Sequence, residues 1–501
     1  MKKISLKKEK QAMLGMYVHM HWGYSRPYAA RSWTFEDWEG YLAGLNGLGY
    51  EMLMVWPLLD CMPTEPTASD RAFLTTLGRM IDPAHRRYGM KVAITAAPNI
   101  IGNEKSAAYS LADRPYFVCE KKVNPKDRRD VEAFLRGRRN QLELLRNADA
   151  LAIIDSDPGG YIASTNDEFV TLVKGQIEAF RSSNPQAELI YWMLAGWENY
   201  NRFWAAAQSN PSVEMWEHFK GEGFQETLRM MRAEVPEPWS VFTMLKEHRE
   251  AVKVLGFCDK AMAFPYGLIE GEPSFPLTNF SPADLEKGVT TALALREPRG
   301  IMANAQTHCL QLPHTYLFAH FVHGGTSAGV DLERFAEEVL PGTGKTVTRG
   351  WQAIGARNPV GQRTAAGELR KHVGTVRRSG RLSGLLFGDA DRFLTDLAMN
   401  LDLRAALIDL KSSLDGKSAK ISGAIRLVLD HLRPYQQRLG FNDAYGGALY
   451  TELNQQLERL NDDSLNGVLK DFKDWRNPAI RNGIVPRLLD AMEIYCHKQE
   501  R

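Results

Sequence analysis

The residues best placed to do chemistry lie in Ile153-Ile154-Asp155-Ser156-Asp157-Pro158-Gly159-Gly160-Tyr161, where an apolar run ends in two aspartates and a Pro-Gly-Gly break. If 151–155 is a strand, its side chains alternate between faces, so Asp155 and Asp157 start on one side with Cα atoms roughly 6 to 7 Å apart. Two carboxyl groups sharing one mouth suit general acid/base chemistry on a glycosidic bond, where one group holds a proton while the other stays ionised or positions the substrate. An isolated Asp-x-Asp is as readily a turn former, with one aspartate capping the turn and the other solvated. The surrounding elements weigh the balance toward chemistry.

Eight apolar, strand-like runs (16–22, 52–59, 91–97, 150–155, 188–194, 239–244, 260–265 and 300–305) alternate with amphipathic helical segments up to about residue 325. Helix starts are marked by a hydroxyl residue followed by acids: Thr34 with Asp37, Ser69-Asp70, Thr165 with Glu168, and Ser281-Pro282 with Asp284. Gly49 and Gly89 stand where helices close before a new strand. This alternation predicts an α/β fold, a (β/α)8 TIM barrel over 15–330, preceded by a basic extension (1–14) and followed by an α-helical C-terminal domain (331–501). No glycine-rich phosphate turn follows the first strand, as an open dinucleotide-binding sheet would show. In the C-terminal part, helical periodicity runs through 397–414, 424–432 and 450–472, with Pro434, Gly440, Gly446 and Gly447 as breaks. The run Pro341-Gly-Thr-Gly-Lys-Thr346 looks like a phosphate loop, but Val339 stands where the first glycine should be and the preceding segment is helical, so no nucleotide is expected.

The active face of such a barrel collects what lies at the strand C-termini. The first run delivers His19, His21, Trp22 and Tyr24, the second Trp56 and Asp60, the third Asn99, the fourth Asp155 and Asp157. The fifth ends in Tyr191, Trp197 and Glu198, the seventh leads to Tyr266, Glu270 and Glu272, and the eighth to Asn304, Gln306 and His308. Each aromatic alone is more readily explained as packing. Their recurrence at most strand ends suits a sugar, whose apolar ring faces and hydroxyl rim need aromatic platforms with acids and amides.

With GMYVHMHWGY, IIDSDPGGY, YWMLAGWENY and NAQTHCLQLP at the corresponding strand ends, the chain resembles TIM-barrel glycoside hydrolases, in particular the hexosaminidase-like and α-glucuronidase-like families, whose barrel is also followed by helices. The resemblance implies O-glycosyl hydrolysis with Asp157 as general acid and Asp155 orienting the substrate's 2-substituent or tuning its neighbour. Glu198, after Gly196-Trp197 at the end of the fifth run, is placed to point into the same mouth and either bind hydroxyls or serve as the second catalytic acid. The acid pair departs from the family's usual Asp-Glu, Asp-Asp or Asp-x-Glu. Long loops at 99–127 and 266–280 favour a walled pocket and therefore exo-action on oligosaccharides.

A second reading starts from His19-Met-His21, which resembles the metal-binding start of amidohydrolases; imidazoles at i and i+2 share a face. The remaining ligand set is mostly missing: the fifth strand offers Trp197-Glu198, the sixth Thr243 with His248 beyond it, the eighth Asn304 and His308. Neither a metal nor another cofactor is expected. A third reading, a catalytically silent sugar-binding barrel, is opposed by the retained acids.

Composition agrees with a globular chain and a small, uncharged partner. Lys+Arg 62 balances Asp+Glu 60 for a formal charge of +2, and beyond Lys2 to Lys10 no basic block argues for nucleic acid or membrane. The five cysteines lie far apart without a CxxC, and the basic N-terminus lacks the apolar core of a signal peptide. The expectation is a cytoplasmic enzyme with a carbohydrate substrate, no nucleic-acid or membrane partner, and a homodimer as a possible state.

Overall fold

A computed structural model describes residues 13–20, 29–210, 223–269, 280–305, 311–376, 379–386, 389–416, 421–439, 448–473 and 483–500. Eight parallel strands close into a barrel: β1 (Leu14–Val18), β2 (Met52–Val55), β3 (Lys91–Ala96), β6 (Ala150–Ile154), β7 (Glu188–Trp192), β8 (Trp239–Thr243), β9 (Ala261–Ala263) and β10 (Ile301–Ala305). Pairing of β1 with both β2 and β10 seals it, with Leu14 opposite Ile301. These runs are almost wholly apolar because a barrel strand is buried on both faces. Alternate residues then divide. Tyr17, Met54, Trp56, Ala152, Ile154, Trp192, Phe242 and Phe264 fill the barrel, whereas Val18, Leu53, Leu151, Ile153, Tyr191 and Val241 face the helices.

The helices begin largely where the sequence marks them. Thr34 forms a capping box with Asp37, and Thr165 one with Glu168, while Ser281 accepts from the Asp284 amide. One start moves: Thr67, not Ser69, caps Ala68–Tyr88, because Asp70 stands three residues after Thr67 and returns its carboxylate to the Thr67 amide. Gly89, at φ +62, closes that helix in the left-handed conformation.

Three features were not expected. Within 99–127, β4 (Ile100–Gly102) and β5 (Glu120–Lys122) form an antiparallel ribbon. Pro434 lies inside the helix Ile421–Leu439 and does not end it, and the expected 450–472 helix is two, Ala448–Glu458 and Asp463–Lys473. The expected breaks at Gly440, Gly446 and Gly447 lie outside the described residues.

The C-terminal helices share the barrel's outer core. Tyr316, on the last barrel helix Leu312–Val322, stacks on Phe335 at 4.3 Å, and Phe335 stacks on Trp351 at 5.8 Å. In the phosphate-loop look-alike, Glu337 accepts the Gly342 and Gly344 amides at 2.8 Å each, so a carboxylate of the chain itself holds the helix start. No helix among the described residues is long and apolar enough to cross a membrane.

Candidate functional site

The end of β6 separates the two aspartates. Asp155 continues the outward set of Leu151 and Ile153 and is fully buried between the barrel wall and the loop after β7. Its Oδ1 accepts from the amides of Leu194 (3.0 Å) and Ala195 (3.1 Å) and from the Ser156 hydroxyl (2.9 Å); its Oδ2 accepts from the Gly196 amide and the Tyr191 hydroxyl, both at 3.0 Å. Burial pushes its pKa up, and the hydrogen bonds from Ala195, Leu194, Ser156 and Tyr191 oppose that rise. The expected shared mouth is therefore corrected. Asp155 has both oxygens committed to the scaffold, and the upward push comes from burial and not from a neighbouring carboxylate.

Asp157 is exposed. Beyond it the chain turns through Gly159 (φ +149) and Gly160 (φ +82), and a Cβ on Gly160 would stand 2.8 Å from Tyr200 Cδ1 and 2.9 Å from Asn201 Oδ1. Glycine there lets the loop lie flush on the helix Trp197–Ser209. That helix presents Tyr200, whose hydroxyl donates to Asp157 Oδ1 at 3.1 Å. Burial, and then the charge of Asp157, hold the Tyr200 phenol well above its ordinary pKa, so it keeps its proton and remains a donor. Glu120 and Lys122 of β5 stand within electrostatic reach: Glu120 acts on Tyr200, and both Glu120 and Asp157 act on Lys122.

The floor of the mouth is aromatic. Tyr17, Trp56, Trp192 and Phe264 interlock edge to face or tilted, with Tyr17 and Trp192 centroids 5.3 Å apart and Trp192 and Phe264 4.8 Å apart. Trp56 is only 2% exposed. Above this floor stand His19, 5.8 Å from Trp56, and the half-buried Tyr266, 6.1 Å from Trp192. Asn304 is buried beside them and accepts from the Gly267 amide at 3.4 Å.

Several expected site residues are instead structural. Trp197 is fully buried, stacks on Phe169 at 5.3 Å and donates to Ser164, so it offers no face to a sugar. Tyr191 points into the outer core. Glu198 accepts the Asn166 amide at 2.9 Å, at the start of the helix Asn166–Arg181, and lies 3.6 Å from Arg202. Asp60, fully buried, accepts from Arg138 (2.7 Å), Trp56 Nε1 (2.7 Å) and the Ala97 amide (3.1 Å). Asn99 donates to the carbonyls of Val123 (3.0 Å) and Gly160 (3.2 Å) and thereby holds the Asp157 loop from beneath. The described contacts of these residues are with the scaffold. His21, Trp22, Tyr24, Glu270, Glu272, Gln306 and His308 lie outside the described residues.

The sequence places Trp192 and Tyr200 in the fifth strand-end run without a role of their own, and does not single out Lys122. Trp192 was recoverable, because it shares strand parity with Ile190 and so faces the barrel interior. Among the described residues no group of three or more His, Cys, Asp or Glu side chains is arranged to hold a metal. Asp155, the carboxylate a His19-His21 site would draw on, is taken up by the five donors named above.

No family model matches the chain, and no curated protein matches it in sequence. Solved structures match in fold. A Family 89 glycoside hydrolase from Clostridium perfringens in complex with PUGNAc superposes with a TM-score of 0.53 at 9% identity, over 98% of this chain and 63% of that one. In complex with 2-acetamido-1,2-dideoxynojirmycin, a Family 89 hydrolase from the same organism gives 0.52 at 10% identity and the same coverage. A GH138 enzyme targeting pectin rhamnogalacturonan II gives 0.48 at 8%, over 98% of this chain and 83% of that one. The chain is thus a TIM barrel with C-terminal helices that is similar in fold to Family 89 glycoside hydrolases.

Proposed function

We propose that the chain is a glycoside hydrolase acting from the ends of oligosaccharides, with Asp157 in the acid/base role. The observation that carries this reading is the placement of Asp157: an exposed carboxylate just beyond the C-terminal end of a parallel barrel strand, accepting from a buried phenol. The fold shared with Family 89 glycoside hydrolases supports it. Exo-action is supported by the ribbon β4/β5, whose Lys122 shares a groove with Gly160 of the Asp157 loop. His19, Tyr266 and Asn304 are the proposed contacts to the sugar.

The test is hydrolysis of a panel of nitrophenyl glycosides, beginning with 2-acetamido sugars, with and without chelator. Turnover that survives chelation is expected, and Asp157→Asn should lower it far more for poor leaving groups than for the activated nitrophenyl ones. Turnover abolished by chelator would favour a metallohydrolase, and tight sugar binding without any turnover would favour a silent sugar-binding barrel.

A further inference from the structure

Beside Asp157 a groove of about 440 Å³ is lined by Lys122, Gly160, Ile162, Asn201, Trp204 and Gln208. It adjoins the Asp157 loop. Gly160 ends the Asp157 loop, and Tyr200, which donates to Asp157, meets the Trp204 ring edge to face at 6.1 Å. Asn201 fixes the wall, accepting the Tyr161 amide at 2.8 Å and donating to the Ser164 carbonyl at 3.2 Å. Trp204 and Gln208 are one helical turn apart on Trp197–Ser209 and face the same side. Ile162 is 41% exposed, an apolar contact left open to solvent.

We propose that this groove is an accessory subsite for a neutral sugar residue, the one adjoining the residue cleaved at Asp157, so that the preferred substrate is at least a disaccharide. This inference rests on the glycoside-hydrolase reading. An indole, an exposed isoleucine and a primary amide supply what a pyranose needs: an apolar face to stack on and polar groups for the hydroxyl rim. The Lys122 ammonium lies over the Trp204 ring, 5.8 Å from its centre, within reach of a sugar's hydroxyls. Burial lowers the Lys122 pKa, and the charges of Glu120 and Asp157, both within electrostatic reach, oppose that fall. An acidic sugar would add a negative group beside those two carboxylates, so the groove suits a neutral one.

The experiment is equilibrium binding to the full chain of thio-linked disaccharides, which resist hydrolysis. N-acetylglucosamine, glucose and galacturonate dimers are each compared with the methyl glycoside of the same sugar. For the sugar recognised, the neutral dimer should bind at least about 10-fold more tightly than its methyl glycoside. Trp204→Leu should reduce that ratio to within about twofold, and Gln208→Ala should reduce it partway, with thermal unfolding confirming that both variants fold. The subsite is overturned by equal binding of dimer and methyl glycoside, by a ratio unchanged in Trp204→Leu, by preference for the galacturonate dimer, or by no dimer binding. Hydrolysis of nitrophenyl monosaccharides is scored separately: turnover without a dimer advantage removes the subsite and leaves the enzyme, whereas a dimer advantage without turnover removes the enzyme.

Discussion

Replacing Asp155 by asparagine separates scaffold from catalyst. The asparagine keeps one oxygen, which can continue to serve Leu194, Ala195 and Ser156, while its amide nitrogen turns toward the Gly196 amide and the Tyr191 hydroxyl. The hydroxyl can rotate to accept, but the Gly196 N–H cannot, and a buried orphan donor costs about 1–3 kcal/mol. The three retained bonds also lose their charge assistance, at about 1 kcal/mol each, while relief from burying a carboxylate returns part of this. The net loss is about 2–4 kcal/mol. For a cooperative chain of 501 residues this lowers Tm by about 2–4 °C, at an unfolding entropy of about 2.1 cal/mol/K per residue. Exchange of the Leu194, Ala195 and Gly196 amides should accelerate at least about 30-fold if the loop opens locally. Calorimetry and amide exchange read both. An Asp155→Asn protein with wild-type Tm and wild-type exchange, yet without turnover, would refute the scaffold role and restore Asp155 to the chemistry.

His248 is buried, accepts the Met244 amide at 3.1 Å on Nδ1, and its pKa is lowered to about 4 by burial. An unfolded histidine titrates near 6.5, so between pH 6.5 and 4 the unfolded chain takes up a proton that the folded chain refuses. Stability should therefore fall by about 3 kcal/mol as pH drops through that window, and His248→Asn should flatten most of the slope; parallel slopes in the two proteins would contradict it. Tyr200→Phe removes the hydroxyl that donates to Asp157 Oδ1, so the alkaline limb of kcat/KM should move to higher pH, and an unmoved limb would separate Tyr200 from catalysis. Asp60→Asn strips the fully buried Arg138 of its counter-charge and should cost about 3–5 kcal/mol in urea unfolding, where a loss below 1 kcal/mol would show the pair to be dispensable. Glu198→Gln keeps an oxygen for the Asn166 amide and loses an ion pair worth about 0.3–0.5 kcal/mol, so Tm and turnover should both stay near wild type; a fall in kcat/KM beyond tenfold would return Glu198 to the site.

The barrel was legible because each strand is an apolar run buried on both faces, and capping pairs such as Thr34 with Asp37 mark helix starts chemically. The ribbon β4/β5 was not, because three-residue strands carry no usable period. Parity along β6 put Asp155 in register with Leu151 and Ile153 but does not say which face is the interior. The clue lay in the size of Ala150 and Ala152, small residues that share the crowded barrel interior with Trp56 and Trp192. Asp60 and Asn99 were read as site residues because strand-end polar groups look alike in sequence. Only the partners, Arg138 for Asp60 and the Val123 and Gly160 carbonyls for Asn99, reveal their structural use.

The central claim is that Asp157 carries acid/base catalysis, and the measurement that tests it most directly is kcat/KM of Asp157→Asn against a series of aryl glycosides graded by leaving-group acidity. Loss of a general acid should reduce turnover at least about 100-fold for poor leaving groups and far less for activated ones, which need little protonation, with Tm unchanged. Wild-type rates across the series, from a folded variant, would contradict the account.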